Sequence, residues 1–115
     1  MKLPHGERAI VEDRKLYGFL VNPEHPEQPG HAELFRRLLG IDRDNAEELR
    51  SALLCAAREA PAVPTQRNQY GEKYEVVFPM RGKRGTYRII SVWLVNTDGG
   101  PPRLITAFPE KADRG

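Results

Sequence analysis

The feature that most constrains this chain is a change of period at Pro61. Before it, apolar residues recur every three or four positions. After it, they alternate every two. Leu49, Ala52, Leu53 and Ala56 follow the i, i+3, i+4, i+7 pattern of one helix face. Lys73 to Met80 then alternates, with Tyr74, Val76, Phe78 and Met80 on one side. Thr86 to Asn96 is the longest alternating stretch. Tyr87, Ile89, Ser91, Trp93 and Val95 point one way, and Arg88, Ile90, Val92 and Leu94 the other. Both faces are apolar through its middle, which predicts a central strand with at least one face under helices. Helices first and strands after, joined by short connections, define an α+β domain. The expected architecture is three N-terminal helices packed on a three- or four-stranded antiparallel sheet.

The boundaries follow from local chemistry. A first helix is expected over Asp13 to Val21, with Leu16, Phe19 and Leu20 as its apolar face, ended by Asn22-Pro23. Pro23 to Gly30, rich in proline, is expected to be loop. A second helix spans His31 to Leu39, with Gly40 as a left-handed cap and Glu33 within reach of Arg36 and Arg37. Asp44 or Asn45 caps the third, and Asn45-x-x-Glu48 has the spacing of a capping box. Ala62 to Gln66 reads as an edge strand, because Pro64 is tolerated only at an edge. Tyr70-Gly71, Arg81 to Gly85 and Asp98 to Pro102 are turns, and Arg103 to Phe108 is the last strand. One domain is expected over residues 1–109, followed by a frayed tail at 110–115.

Composition narrows the class. At 115 residues the chain can bury one core. Its single cysteine, Cys55, forbids an internal disulfide and is expected to be a small buried apolar residue. No apolar run reaches the roughly 18 residues of a membrane helix. The N-terminal Met1 to Gly6 lacks the apolar stretch of a signal peptide. A cytoplasmic protein, or a piece of a larger one, is the expectation. The formal net charge is only +2. From Pro61 onward, however, Arg67, Lys73, Arg81, Lys83, Arg84, Arg88, Arg103, Lys111 and Arg114 face only Glu72, Glu75, Asp98, Glu110 and Asp113. That imbalance favours an anionic partner such as RNA.

The phosphate-loop, dinucleotide, nucleophile-elbow and His-Glu-x-x-His patterns are absent from the sequence. His5, His25 and His31 do not fall at metal-ligand spacing, so no metal or other cofactor is expected. His31 stands at the start of the second helix, where a neutral imidazole is favoured and can serve as a base; capping or loop packing is the plainer role. Arg103 and Thr106 begin the last strand. Arginine can clamp a phosphate with two hydrogen bonds. Ideal alternation would send these two side chains to opposite faces, so they meet only through a twist, a bulge or a strand-end site. Tyr70 and Lys73 could place a phenol and an ammonium at one end of the sheet. Arg81, Lys83, Arg84 and Arg88 form a basic hairpin suited to nucleic acid. Trp93, mid-strand, is expected in the core, with base stacking as the alternative.

Two stretches together resemble a known family. One combines a short helix, Asn22-Pro23-Glu24-His25-Pro26, Ala32-x-x-Phe35, Leu39-Gly40 and Asn45-Ala46-x-x-Leu49. The other combines Tyr70-Gly71-x-x-Tyr74, Trp93 and Pro102 to Ala107. They resemble a small bacterial and phage-associated domain family of unknown function, over about Leu3 to Pro109. In layout that family is similar to the metal-independent ribonucleases that include barnase, EndoU, colicin and RelE-like toxins. The resemblance implies a sheet-borne active site with His31, Arg103 and Thr106 as candidates, supported by Tyr70 and Lys73. The family position before Ala32 is basic and often lysine, where this chain has His31. Two functions are thus expected: a metal-independent endoribonuclease, toxin-like or phage-associated, or a non-catalytic module that binds a protein or nucleic-acid partner.

Overall fold

The computed structural model describes residues 1–25, 29–83 and 85–110. A 3-10 turn at Gly6–Arg8 precedes three helices. Helix α1 covers Asp13–Lys15 and widens into a π-helical turn over Leu16–Leu20. Helix α2 covers Pro29–Leu34 and widens likewise over Phe35–Leu39. Helix α3 is Ala46–Glu59. Strands β1 (Ala62–Asn68), β2 (Gly71–Gly82), β3 (Gly85–Asn96) and β4 (Arg103–Glu110) follow in a meander of order β1-β2-β3-β4, with every pair antiparallel. The α+β architecture expected from the period change is therefore present, with four strands.

Several boundaries and contacts differ from expectation. Helix α2 opens two residues before His31, at Pro29, because proline at a first helical position gives up only an N–H that has no helical partner there. Asn45 stands at the start of α3 but forms no side-chain cap. Its Oδ1 accepts the Asp42 N–H (2.8 Å) and its amide donates to the Gly40 carbonyl (2.9 Å), so it ties the α2–α3 loop together instead. Gly40 takes the left-handed conformation expected of it (φ 68°). Cys55 is exposed, not buried. The buried face of α3 runs through Ala46, Leu49, Leu53, Ala56 and Ala57. Two residues past Leu53, at about 100° per residue, Cys55 turns to the far side. All strands run longer than expected, and β4 extends through Glu110, which pairs with Arg88 of β3. The expected tail beyond it, and Arg84, lie outside the described residues.

The core is one cluster between the helices and a single side of the sheet. Trp93, Ile89 and Ser91 of β3 and Val76 of β2 are fully buried against Leu16, Leu20, Phe35, Leu49 and Leu53. Ser91 would be costly there without partners. Its hydroxyl donates to the Val76 carbonyl (2.7 Å) and accepts the Trp93 indole N–H (2.9 Å). Ser91→Ala should therefore cost about 1–3 kcal/mol, because it strands the indole N–H in the core. Urea unfolding checks this; a lower midpoint with an unchanged slope is the expected result.

Candidate functional site

The first turn of the site is set by how α1 is held. Its Tyr17 hydroxyl donates to Glu47 of α3 (2.6 Å), and this hydrogen bond raises the tyrosine pKa and lowers the carboxyl pKa. Arg50 of α3 reaches the Val11 carbonyl (2.6 Å), Glu47 (2.9 Å) and Asp13. Arg43 donates to the Tyr17 carbonyl (2.9 Å). With one flank of α1 pinned to α3, the flank carrying Arg14, Lys15, Gly18 and Phe19 is left to face β4.

Strand β4 is shaped by a bulge. Thr106 pairs with Val92 and Leu104 with Trp93, so Ile105 is an extra residue without a partner in β3. The alternation therefore resets between residues 104 and 106. Leu104, Ala107 and Pro109 turn into the core. Register places Arg103, Thr106 and Phe108 on the side of Leu94, Val92 and Ile90. The bulge thus removes the obstacle to Arg103 and Thr106 sharing a side.

A cleft of about 700 Å³ lies where α1 and α2 meet β4. Its walls are Arg14, Lys15, Gly18 and Phe19 of α1, His31 of α2, the loop residue His25, and Ile105, Thr106 and Phe108 of β4. The His31 ring stacks on Phe108 (centroids 5.1 Å, 28° between planes). Phe19 meets His25 and His31 edge-on, at 4.7 and 6.2 Å. The Lys15 ammonium sits 5.0 Å from the Phe19 ring centre. Two polar atoms in these walls, His31 Nδ1 and Thr106 Oγ1, are buried without a hydrogen-bond partner among the described residues. Burial lowers the His31 pKa below histidine's ordinary value and so favours the neutral ring.

Of the five catalytic candidates, His31 and Thr106 meet in this cleft. Arg103 shares the strand and side of Thr106 but is engaged elsewhere, with Nη1 3.1 Å from Glu12, a residue that also lies 3.7 Å from Arg14. Lys73 stands opposite Leu94, which stands opposite Arg103. That puts Lys73 two strands, about 10 Å, from Arg103 and outside the cleft walls. Tyr70 is exposed in the β1–β2 turn, its carbonyl accepting the Thr97 N–H (3.0 Å). Among the residues expected to hold nucleic acid, Arg81 and Lys83 are exposed at the hairpin end, and Arg88 is salt-bridged to Glu110 (3.3 Å). Trp93 has no exposed surface, so base stacking on it is excluded. Arg14, Lys15, Phe19, His25 and Phe108 were not expected at the site; Arg14 and Lys15 lie in the half of the chain that is not basic.

Helices laid on one side of a four-stranded antiparallel meander, with a cation- and imidazole-lined cleft at the last strand, define an α+β domain. Over residues 2–111 the chain matches the family described as Domain of unknown function (DUF6883), and it belongs to that family. No curated protein and no solved structure matched the chain. Among the described residues, no helix is long and apolar enough to cross a membrane, and no three His, Cys, Asp or Glu side chains gather as metal ligands.

The walls make two testable statements. Thr106→Val keeps the side-chain shape and removes an unpaired buried hydroxyl, so stability should hold or rise by up to about 1 kcal/mol. Thermal unfolding checks it; a marked loss would mean the hydroxyl is needed by the fold. The second concerns pH. The folded pKa of His31 is depressed, so the unfolded chain binds the proton more tightly. Stability should then fall as pH drops from about 6.5, and this contribution should stop growing below the folded pKa. His31→Gln should abolish that segment of the stability curve, read as the difference between the two proteins in urea titrations.

Proposed function

We propose that the cleft binds an RNA phosphodiester and cleaves it without a metal ion. The convergence of His31 with Arg14, Lys15 and Thr106 in one groove carries this reading. Transfer of the 2′-hydroxyl onto phosphorus needs a base, positive charge for the crowded phosphorane and an acid for the departing 5′-oxygen. His31 is the base. Its Nδ1 is withdrawn from solvent, so Nε2 is the nitrogen that takes the proton from the 2′-hydroxyl. Desolvation supports that role by keeping the ring neutral. Arg14 and Lys15 supply charge to the phosphoryl oxygens. Arg14 is well placed to do so because it is 84% exposed and only loosely held by Glu12. Thr106 offers its hydroxyl to a phosphoryl oxygen, and His25, the second imidazole in the cleft, protonates the leaving oxygen. Arg103, held by Glu12, lies beside this set and orients α1 through that pair.

The test is cleavage of end-labelled single-stranded RNA by the purified protein, with and without EDTA. Cleavage should persist in chelator and leave 2′,3′-cyclic phosphate ends. His31→Ala should lower the rate by roughly 10²–10⁴-fold. Activity should be lost as pH falls through the His31 pKa, so the acid limb should lie below histidine's ordinary value. Cleavage that survives His31→Ala unchanged would place the chemistry elsewhere. A wild type that does not cleave would leave the non-catalytic module as the better reading. That second reading has its own observation: Val77, Ile90, Val92 and Leu94 lie half-buried on the side of the sheet away from the core.

A further inference from the structure

We propose that Phe19 is a platform on which one unpaired nucleobase stacks, which restricts the cleft to single-stranded nucleic acid; this rests on the cleft being the phosphodiester site. The argument begins with what the groove contains beyond charge. A groove that gripped phosphate alone would need cations and N–H donors. This one is also aromatic, with Phe19 on one wall and the His31–Phe108 stack on the other. His25 and His31 both stand nearly perpendicular to Phe19. The Lys15 ammonium lies over the ring, 5.0 Å from its centre. That cation–π contact is exchangeable, because the ammonium sits on a flexible stem and lines the open cleft. A nucleobase laid on the ring would displace the ammonium toward the phosphate attached to the same nucleotide. Both groups then keep a partner: the ring exchanges a cation for a base, and the cation exchanges a ring for an anion. The volume of about 700 Å³ lies in the range of pockets that take one small ligand. A base enters such a pocket only when it is free of its pair and its stack, as in loops and single strands.

Fluorescence anisotropy decides this with a six-nucleotide single-stranded DNA, which lacks the 2′-hydroxyl and so is not consumed. The companion probes are the same backbone with all bases removed and the same sequence in a duplex. Phe19→Leu keeps apolar bulk and loses the ring, and Phe19→Trp keeps a ring; circular dichroism confirms that both fold. Phe19→Leu should weaken binding of the base-bearing strand by about 5- to 100-fold, with Phe19→Trp close to wild type. The base-free strand should bind wild type and Phe19→Leu alike, and the duplex should bind more weakly than the single strand. Equal loss on both strands would make Phe19 merely structural and overturn the proposal. So would an unchanged affinity in Phe19→Leu, or a wild type that binds the duplex as well as the single strand. The underlying reading fails by a different result: Arg14→Glu with Lys15→Glu leaving strand binding intact.

Discussion

Everything at the site follows from how the outer edge of β4 is covered. A terminal strand presents unpaired N–H and C=O groups, and a fold has to occupy them or leave them open. Here the N-terminal segment does the first part. Ile10 pairs in parallel with Arg103, donating to the Pro102 carbonyl (2.9 Å) and accepting the Leu104 N–H (3.0 Å). The chain then leaves the strand and enters α1 at Asp13. Beyond Leu104 the wall opposite β4 is therefore made of helices and not of a fifth strand. Side chains from α1 and α2 meet side chains from β4 across a groove, and that groove is the cleft.

The helices can stand off from β4 because they are held from elsewhere. Tyr17, Asp13 and the Val11 carbonyl are gathered by Glu47 and Arg50 of α3. The far end of α2 is braced differently. A Cβ built on Gly82 of β2 would lie 2.5 Å from the Leu38 carbonyl, so only glycine lets the end of α2 approach the hairpin this closely. Leu16, Leu20 and Phe35 fill the space beneath. The cleft is thus a by-product of firm contacts on its outside. Its own walls keep two polar atoms without a partner among the described residues and an aromatic ring beneath a lysine ammonium.

The fold was legible in the sequence because periodicity is a local signal. The alternation through Tyr87, Ile89, Ser91 and Trp93 is a property of consecutive residues, and these are the ones buried on β3. Cys55 misled for a related reason: Ala52, Ala56 and Ala57 around it are apolar, but only its angle on the helix decides exposure. The site was half legible. His31 and Thr106 announce themselves as chemistry-bearing residues at element ends, yet their meeting depends on α2 reaching β4 over a separation of 75 residues. Nothing in the local pattern of Arg14 and Lys15 distinguishes them from a solvated helix face. The position of Arg103 suggests a clamp, but its partner Glu12 comes within reach two residues past the Ile10 pairing, a contact across 91 residues of sequence.

The bulge at Ile105 has one more consequence. It divides β4 into two stretches that keep separate phase. Inward positions are even-numbered before it, at Leu104, and odd-numbered after it, at Ala107 and Pro109. An insertion or deletion in the Asp98–Pro102 turn can be absorbed by moving the extra residue along the strand, leaving Thr106 and Phe108 where they are. The phase at the start of the strand can then change without altering which side Thr106 and Phe108 occupy. Within this family, lineages could vary turn length and rim charge while inheriting the same groove.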